Sequence, residues 1–176
     1  MRDRDEVGRA RNARPRDAYG RPLPHDAEGE ERVPDDYAAA PAEALAEAQR
    51  LLDADRPFHA HEVLEAAWKA APEAERDLWQ GLAQLAVGFT HVRRGNAQGA
   101  LALLRRAADR IAPYGQASSD RAAGDLAADQ RGPGAPGPHG IDAAGLARRA
   151  RDLAEQIERD GLGAVTDADL TPRLAG

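Results

Sequence analysis

The sequence predicts an all-α fold: a compact bundle of about five helices built on two helical hairpins, with a disordered N-terminal arm and an internal linker. Three observations lead there. Hydrophobic residues make up 42% of the 176 residues but aromatics only 4%, so the core must rest on Ala, Leu and close helix packing. Strand-like runs of Val, Ile, Thr and aromatic residues are missing. From about residue 41 onward, apolar positions recur at helical spacing between strong helix breakers.

Residues 1–40 alternate Arg with Asp and then turn to Pro, Gly and an acidic block, with no helical or strand period. They are expected to form a disordered or extended arm. Pro41 suits a first helical turn, and Leu45, Ala48, Leu51 and Leu52 follow on one face, giving a first helix over about 41–54. Asp55-Arg56-Pro57 breaks it, with Asp55 as a candidate cap and Pro57 opening a second helix that runs to about Ala71. Pro72, Glu73 and Glu75 introduce a third, ending at Arg94 before Gly95. Asn96 caps a fourth, with Leu101, Leu104, Ala108 and Ile111 inward, which is expected to stop before Pro113. The Gly- and Pro-rich stretch 116–140 reads as a flexible insertion in a core domain that occupies 41–115. Asp142 then caps a fifth helix within 141–176, and its Leu146, Ala150, Leu153 and Ile157 dock on the core before a short tail.

An internal echo supports the paired hairpins. At an offset of 40 residues, DRPFHAHEVLEAA (55–67) aligns with GNAQGALALLRRA (95–107), matching a helix break, Ala60 with Ala100, and Leu64 with Leu104.

Composition narrows the function classes. Without cysteine there are no disulfides, thiolate metal sites or cysteine nucleophiles. A net charge of -6 argues against a globally basic nucleic-acid binder, although Arg2, Arg4, Arg9, Arg11, Arg14, Arg16 and Arg21 make the arm a candidate RNA contact. No apolar run is long enough to span a bilayer, and a cytoplasmic location is the default expectation.

The chemistry-bearing residues concentrate in the second and third helices. At 100° per residue, Phe58, His61, Leu64, Glu65 and Trp68 share one broad face, whereas His59 and Glu62 point elsewhere. On the third helix, Gln80, Gln84, Val87 and His91 form a stripe separate from Leu78, Leu82, Leu85, Phe89 and Val92, with Gly81 and Gly88 allowing a close helix approach. Antiparallel packing turns the polar stripes toward each other and predicts a buried polar cluster of His61, Glu65, Trp68, Gln80, Gln84 and His91. One reading is a hydrogen-bonded network that fixes helix register. Another is a ligand site, with His61, Glu65 and His91 as weak candidates for a divalent metal such as zinc or iron. A third is a Glu-His proton-transfer pair in a hydrolytic enzyme. No phosphate loop, nucleophile elbow or catalytic triad spacing is present, and no cofactor is predicted.

FHAHEVLEAAWK, followed by LWQGLAQLAVGFTHVRRGNAQGALALL, resembles the family called domain of unknown function 309. The shared pattern falls on His61, Glu62, Glu65, Trp68, Gln80, Gly81, Leu82, Gln84, Gly95, Asn96, Gly99 and Ala100. The resemblance covers about 42–115 and resumes at GIDAAGLARRARDL; the lead-in GRARNARPRD with GRPLP looks like that of actinobacterial members. It implies a small helical domain and no particular activity. The hairpin echo, the closed polar set and the absence of a complete catalytic pattern make the expectation a non-enzymatic module that binds an unknown protein or small-molecule partner, against the metal or small-ligand enzyme and the RNA-binding arm as alternatives.

Overall fold

Both hairpins reverse direction through the same backbone device. In the computed structural model, which describes residues 14–123 and 137–176 and only the backbone of 117–123, the helices are α1 (Pro41–Asp53), α2 (Pro57–Ala70), α3 (Arg76–Arg93), α4 (Ala97–Ala123) and α5 (Ala143–Asp160). At the end of α1 the Arg56 amide donates to Leu51 O (2.8 Å) and the Asp55 amide to Leu52 O (3.0 Å). At the end of α3 the Asn96 amide donates to His91 O (2.9 Å) and the Gly95 amide to Val92 O (3.0 Å). This is the paired-bond cap that needs a left-handed residue, and Asp55 (φ 56°) and Gly95 (φ 73°) supply it. The 40-residue echo thus has a structural basis: Ala60 with Ala100 and Leu64 with Leu104 are all fully buried behind equivalent turns.

Most boundaries lie where local chemistry puts them. Pro41 and Pro57 open α1 and α2, and the Ala40 amide donates to Glu43 Oε2 (3.2 Å). Asn96 accepts from the Gly99 amide at the start of α4, and Asp142 from the Gly145 amide at the start of α5, each at 2.9 Å. A 3-10 turn, Glu73–Glu75, forms the first part of the segment expected to begin the third helix.

Two expectations are corrected. Asp55 does not cap α2: its left-handed backbone closes α1, and its carboxylate accepts from Tyr19 Oη (2.8 Å) and Arg93 Nε (2.7 Å). The fourth helix does not stop before Pro113 but continues to Ala123. A proline inside a helix crowds the carbonyl four residues earlier, here that of exposed Asp109, where water can serve it. Tertiary contacts carry the chain past this point: Tyr114 Oη donates to Ala74 O (2.9 Å), and Gly115 lies so close to Ala144 of α5 that an added Cβ would stand 2.7 Å away.

Helices adjacent in sequence pack against each other, and α3 is the central one. Leu78, Trp79, Leu82, Leu85, Ala86 and Phe89 are buried along it, and the buried Thr90 hydroxyl returns to Ala86 O (2.9 Å). Gly81 and Gly88 bring α3 and α4 together as expected. An added Cβ at Gly81 would meet Ile111 Cγ1 at 2.7 Å, and one at Gly88 would meet Leu104 Cδ2 at 3.0 Å.

Residues 14–40 contain no helix. They fold into tight turns, with the Leu23 amide on Pro15 O and the Glu30 amide on Arg16 O (both 2.8 Å), and lie against α2 and the end of α3. Residues 1–13 of the expected arm and 124–136 of the expected linker lie outside the described residues. The C-terminal tail is also packed: Leu170 and Leu174 are buried, and the Leu174 amide reaches Gln49 of α1 (2.9 Å). Among the described residues no helix is long and apolar enough to cross a membrane.

The α3–α4 contact yields a prediction. Gly81→Ala forces its new methyl into Ile111 and should lower stability by about 1–3 kcal/mol. Gly163→Ala, with nothing within 4 Å of the new atom, should stay near neutral in the same thermal melt.

Candidate functional site

On α2, His61, Glu65 and Lys69 are one turn apart. His61 Nε2 stands 3.4 Å from Glu65 Oε2, and Lys69 Nζ 2.9 Å from Glu65 Oε1. The His61 and Glu65 side chains are 24% and 34% exposed, so the pair is half-buried rather than enclosed. Burial pushes the His61 imidazole below its ordinary range; Glu65 and Glu62 oppose this and Lys69 adds to it. His61 Nδ1 is buried and forms no well-directed hydrogen bond, with weak support from the Phe58 backbone.

Gln80, Gln84 and His91 do share one stripe of α3, but that stripe is the helix's half-buried side. Neither glutamine hydrogen-bonds to His61 or Glu65, and Gln84 Oε1 is buried without a partner among the described residues. The cluster therefore divides. Trp68 packs against the hydrophobic core, and His61 with Glu65 forms one unit on α2. His91 belongs to the second hairpin turn. There Asn96 Nδ2 lies 3.1 Å from His91 Nδ1, and Asn96 Oδ1 is committed to the Gly99 amide. The asparagine nitrogen must then be the donor, which leaves His91 Nδ1 as acceptor and puts the proton of the neutral ring on Nε2. Gly99 makes room for this, since an added Cβ would meet Asn96 Nδ2 at 2.6 Å and His91 Nδ1 at 2.8 Å. Burial, then Arg94, lowers the His91 value as well. Among the described residues no three His, Asp or Glu side chains are grouped so as to hold a metal ion, so His61, Glu65 and His91 do not converge.

The histidine set aside in the helical projection is the buried one. His59 is 1% exposed and neither ring nitrogen has a hydrogen-bond partner among the described residues. Burial lowers its value, and Arg56 adds to that; Glu62 and Glu30 oppose it. The arm flanks this setting on both sides. Arg56 pairs with Glu30 (3.0 Å) and donates to Glu31 O (3.1 Å), while Glu62 accepts from Arg32 (3.3 Å). His59 lies between these two clasps, three residues from each.

Beside the clasps, the arm and α2 enclose an open groove of about 460 Å³. Arg32, Val33 and Tyr37 line one wall, and Glu62, Glu65 and Lys69 the other, with Asp35 and Asp36 at the arm side. Two motif carboxylates thus open onto the same space.

A second polar group, not anticipated from periodicity, lies at the start of α3. Glu75 Oε2 accepts from Trp79 Nε1 (3.2 Å) and lies 2.8 Å from His139 Nε2, whose backbone is left-handed (φ 58°). Sixty-four residues separate Glu75 from His139, and no spacing rule links them. Burial pushes the Glu75 carboxyl up, but hydrogen bonds from His139 and Trp79 together outweigh it, and the net direction is down. A carboxyl held low in the fold contributes stability above the ordinary carboxyl range, and that contribution is lost as pH falls through its folded value. Glu75→Gln should therefore lose less melting temperature than the parent between about pH 5 and about pH 3. An equal loss would show that Glu75 does not contribute this way.

No curated protein and no solved structure matches the chain. Residues 45–103 match the family model described as Domain of unknown function (DUF309). That segment holds both left-handed turns, the glycines of the α3–α4 contact, and every polar residue singled out on α2 and α3. Over these 59 of the 176 residues the chain is similar to the domain of unknown function 309 family, in line with the motifs on α2 and α3.

Proposed function

We propose that the protein is a non-enzymatic helical binding module and that the groove between the arm and α2 is its site. The observation that carries this reading is that Glu62 and Glu65, both motif positions, open onto one groove of about 460 Å³ whose other wall is the arm. Four carboxylates, Asp35, Asp36, Glu62 and Glu65, face two cations, Arg32 and Lys69, so the lining carries a net charge of -2 (two minus four). Tyr37 adds a ring half-buried at the edge. A groove of this size and charge suits an amine or guanidinium group, free or on a peptide side chain, with Tyr37 covering its apolar part. The His61–Glu65–Lys69 ladder sets the position of the Glu65 carboxylate on that wall.

A titration with agmatine, which carries both an amine and a guanidinium, tests this by backbone amide NMR. The amides of Tyr37, Glu62, Glu65 and Ala66 should shift saturably, and Glu65→Gln should weaken the apparent affinity by about threefold or more. Shifts that are absent from these amides, or unchanged in Glu65→Gln, would overturn the assignment.

A further inference from the structure

The contact between the arm and α2 is underpaired. Along one row of α2, at three-residue intervals, Arg56 Nε, both nitrogens of His59 and Glu62 Oε2 are buried without a hydrogen-bond partner among the described residues. A neutral imidazole carries one donor and one acceptor, and water would serve both if the arm were lifted. Its place at 1% exposure therefore works against the closed contact. What holds the arm down is mainly polar and close to solvent. Of residues 14–40 only Gly20 is buried. The ties include the Arg56–Glu30 and Arg32–Glu62 pairs, Arg56 on Glu31 O (3.1 Å), the Tyr19–Asp55 hydrogen bond, Arg94 Nε on Tyr19 O (2.7 Å) and the Arg16 guanidinium over the Phe58 ring (5.7 Å), with Val33, Tyr37 and Ala39 only partly buried against the edge of the core. By contrast α3 is fixed by a continuous apolar core. A segment with little buried apolar area, resting on unsatisfied polar atoms, opens before the core does.

We propose that residues 14–40 form a reversible strap that opens as a unit while the helical core stays folded, exposing the Arg56–His59–Glu62 face of α2. Because Arg32, Val33 and Tyr37 form one wall of the groove, opening dismantles the groove as well. The strap thus regulates access to the site proposed above without depending on what occupies it. Gly20 is the latch: its φ is +71°, and an added Cβ would lie 2.2 Å from the Phe58 ring.

Hydrogen exchange of the full chain at neutral pH, with no ligand present, tests this. The Leu23 and Glu30 amides, bonded to Pro15 O and Arg16 O within the strap, report it because a segment with no helix and one buried residue loses its turns once it leaves α2, and the α3 amides report the core. In the parent the strap should exchange faster than α3. His59→Leu removes the unsatisfied ring and should slow strap exchange by about fivefold or more, against the usual expectation that replacing a native residue loosens its surroundings. Gly20→Ala should speed strap exchange and leave α3 unchanged. Strap and core exchanging at one rate, or no slowing in a His59→Leu protein with an intact core, would overturn the proposal. Should His59→Leu disturb α3, Gly20→Ala decides: faster strap exchange with α3 unchanged supports the strap, and any other pattern overturns it. Since no ligand enters the experiment, its failure leaves the groove with a fixed wall, and a failed agmatine titration leaves the strap untouched.

Discussion

The left-handed backbone at Asp55 is the constraint on which the first hairpin depends. A side chain there costs about 1 kcal/mol or more relative to glycine, which the equivalent turn uses at Gly95. Asp55 is kept in place by what its carboxylate does. It accepts from Tyr19 and Arg93, and Arg93 also reaches Asp167 near the C-terminus (2.7 Å). One strained residue thus joins the arm, the first turn, the end of α3 and the C-terminal tail. With the Asp55 side chain 44% exposed, each of these bonds contributes about 0.5–1 kcal/mol, and the two together offset the strain.

The polar family motif divides into separate roles once it is placed on the fold. Gly81 sets the distance between α3 and α4, Gly95 the second turn, and Asn96 with Gly99 the start of α4 and the seating of His91. These residues make the hairpin pair. Glu62 and Glu65 do something different, since they face the arm and the groove rather than the helical core. That separation is why the proposed binding role is put on the outer side of α2 and not between α2 and α3.

Much of the fold was legible because its boundaries are local. Pro41, Pro57, Gly95, Asn96 and Asp142 act within a turn of where they stand, and sequence spacing locates them. Pro113 misleads for the opposite reason: Tyr114 and Gly115 carry the helix past it through contacts with Ala74 and Ala144, which no local rule contains. The candidate site was legible in direction but not in depth. A helical projection places Gln80, Gln84 and His91 on one stripe, yet it cannot say how far a neighbour covers that stripe. His59 lies off the hairpin face, and the residues on either side of it are held by a non-helical segment almost thirty residues upstream whose sequence has no period to read. The Glu75–Trp79–His139 group was hidden by the same kind of distance.

The central claim is that Asp55 is held in a strained conformation because of its side-chain partners. Thermal unfolding of Asp55→Gly tests it most directly, since glycine removes the backbone strain and the carboxylate together. The account predicts a lower melting temperature than the parent, because the bonds to Tyr19 and Arg93 outweigh the strain. An unchanged or higher melting temperature, the usual result of glycine at a left-handed helix end, would contradict it.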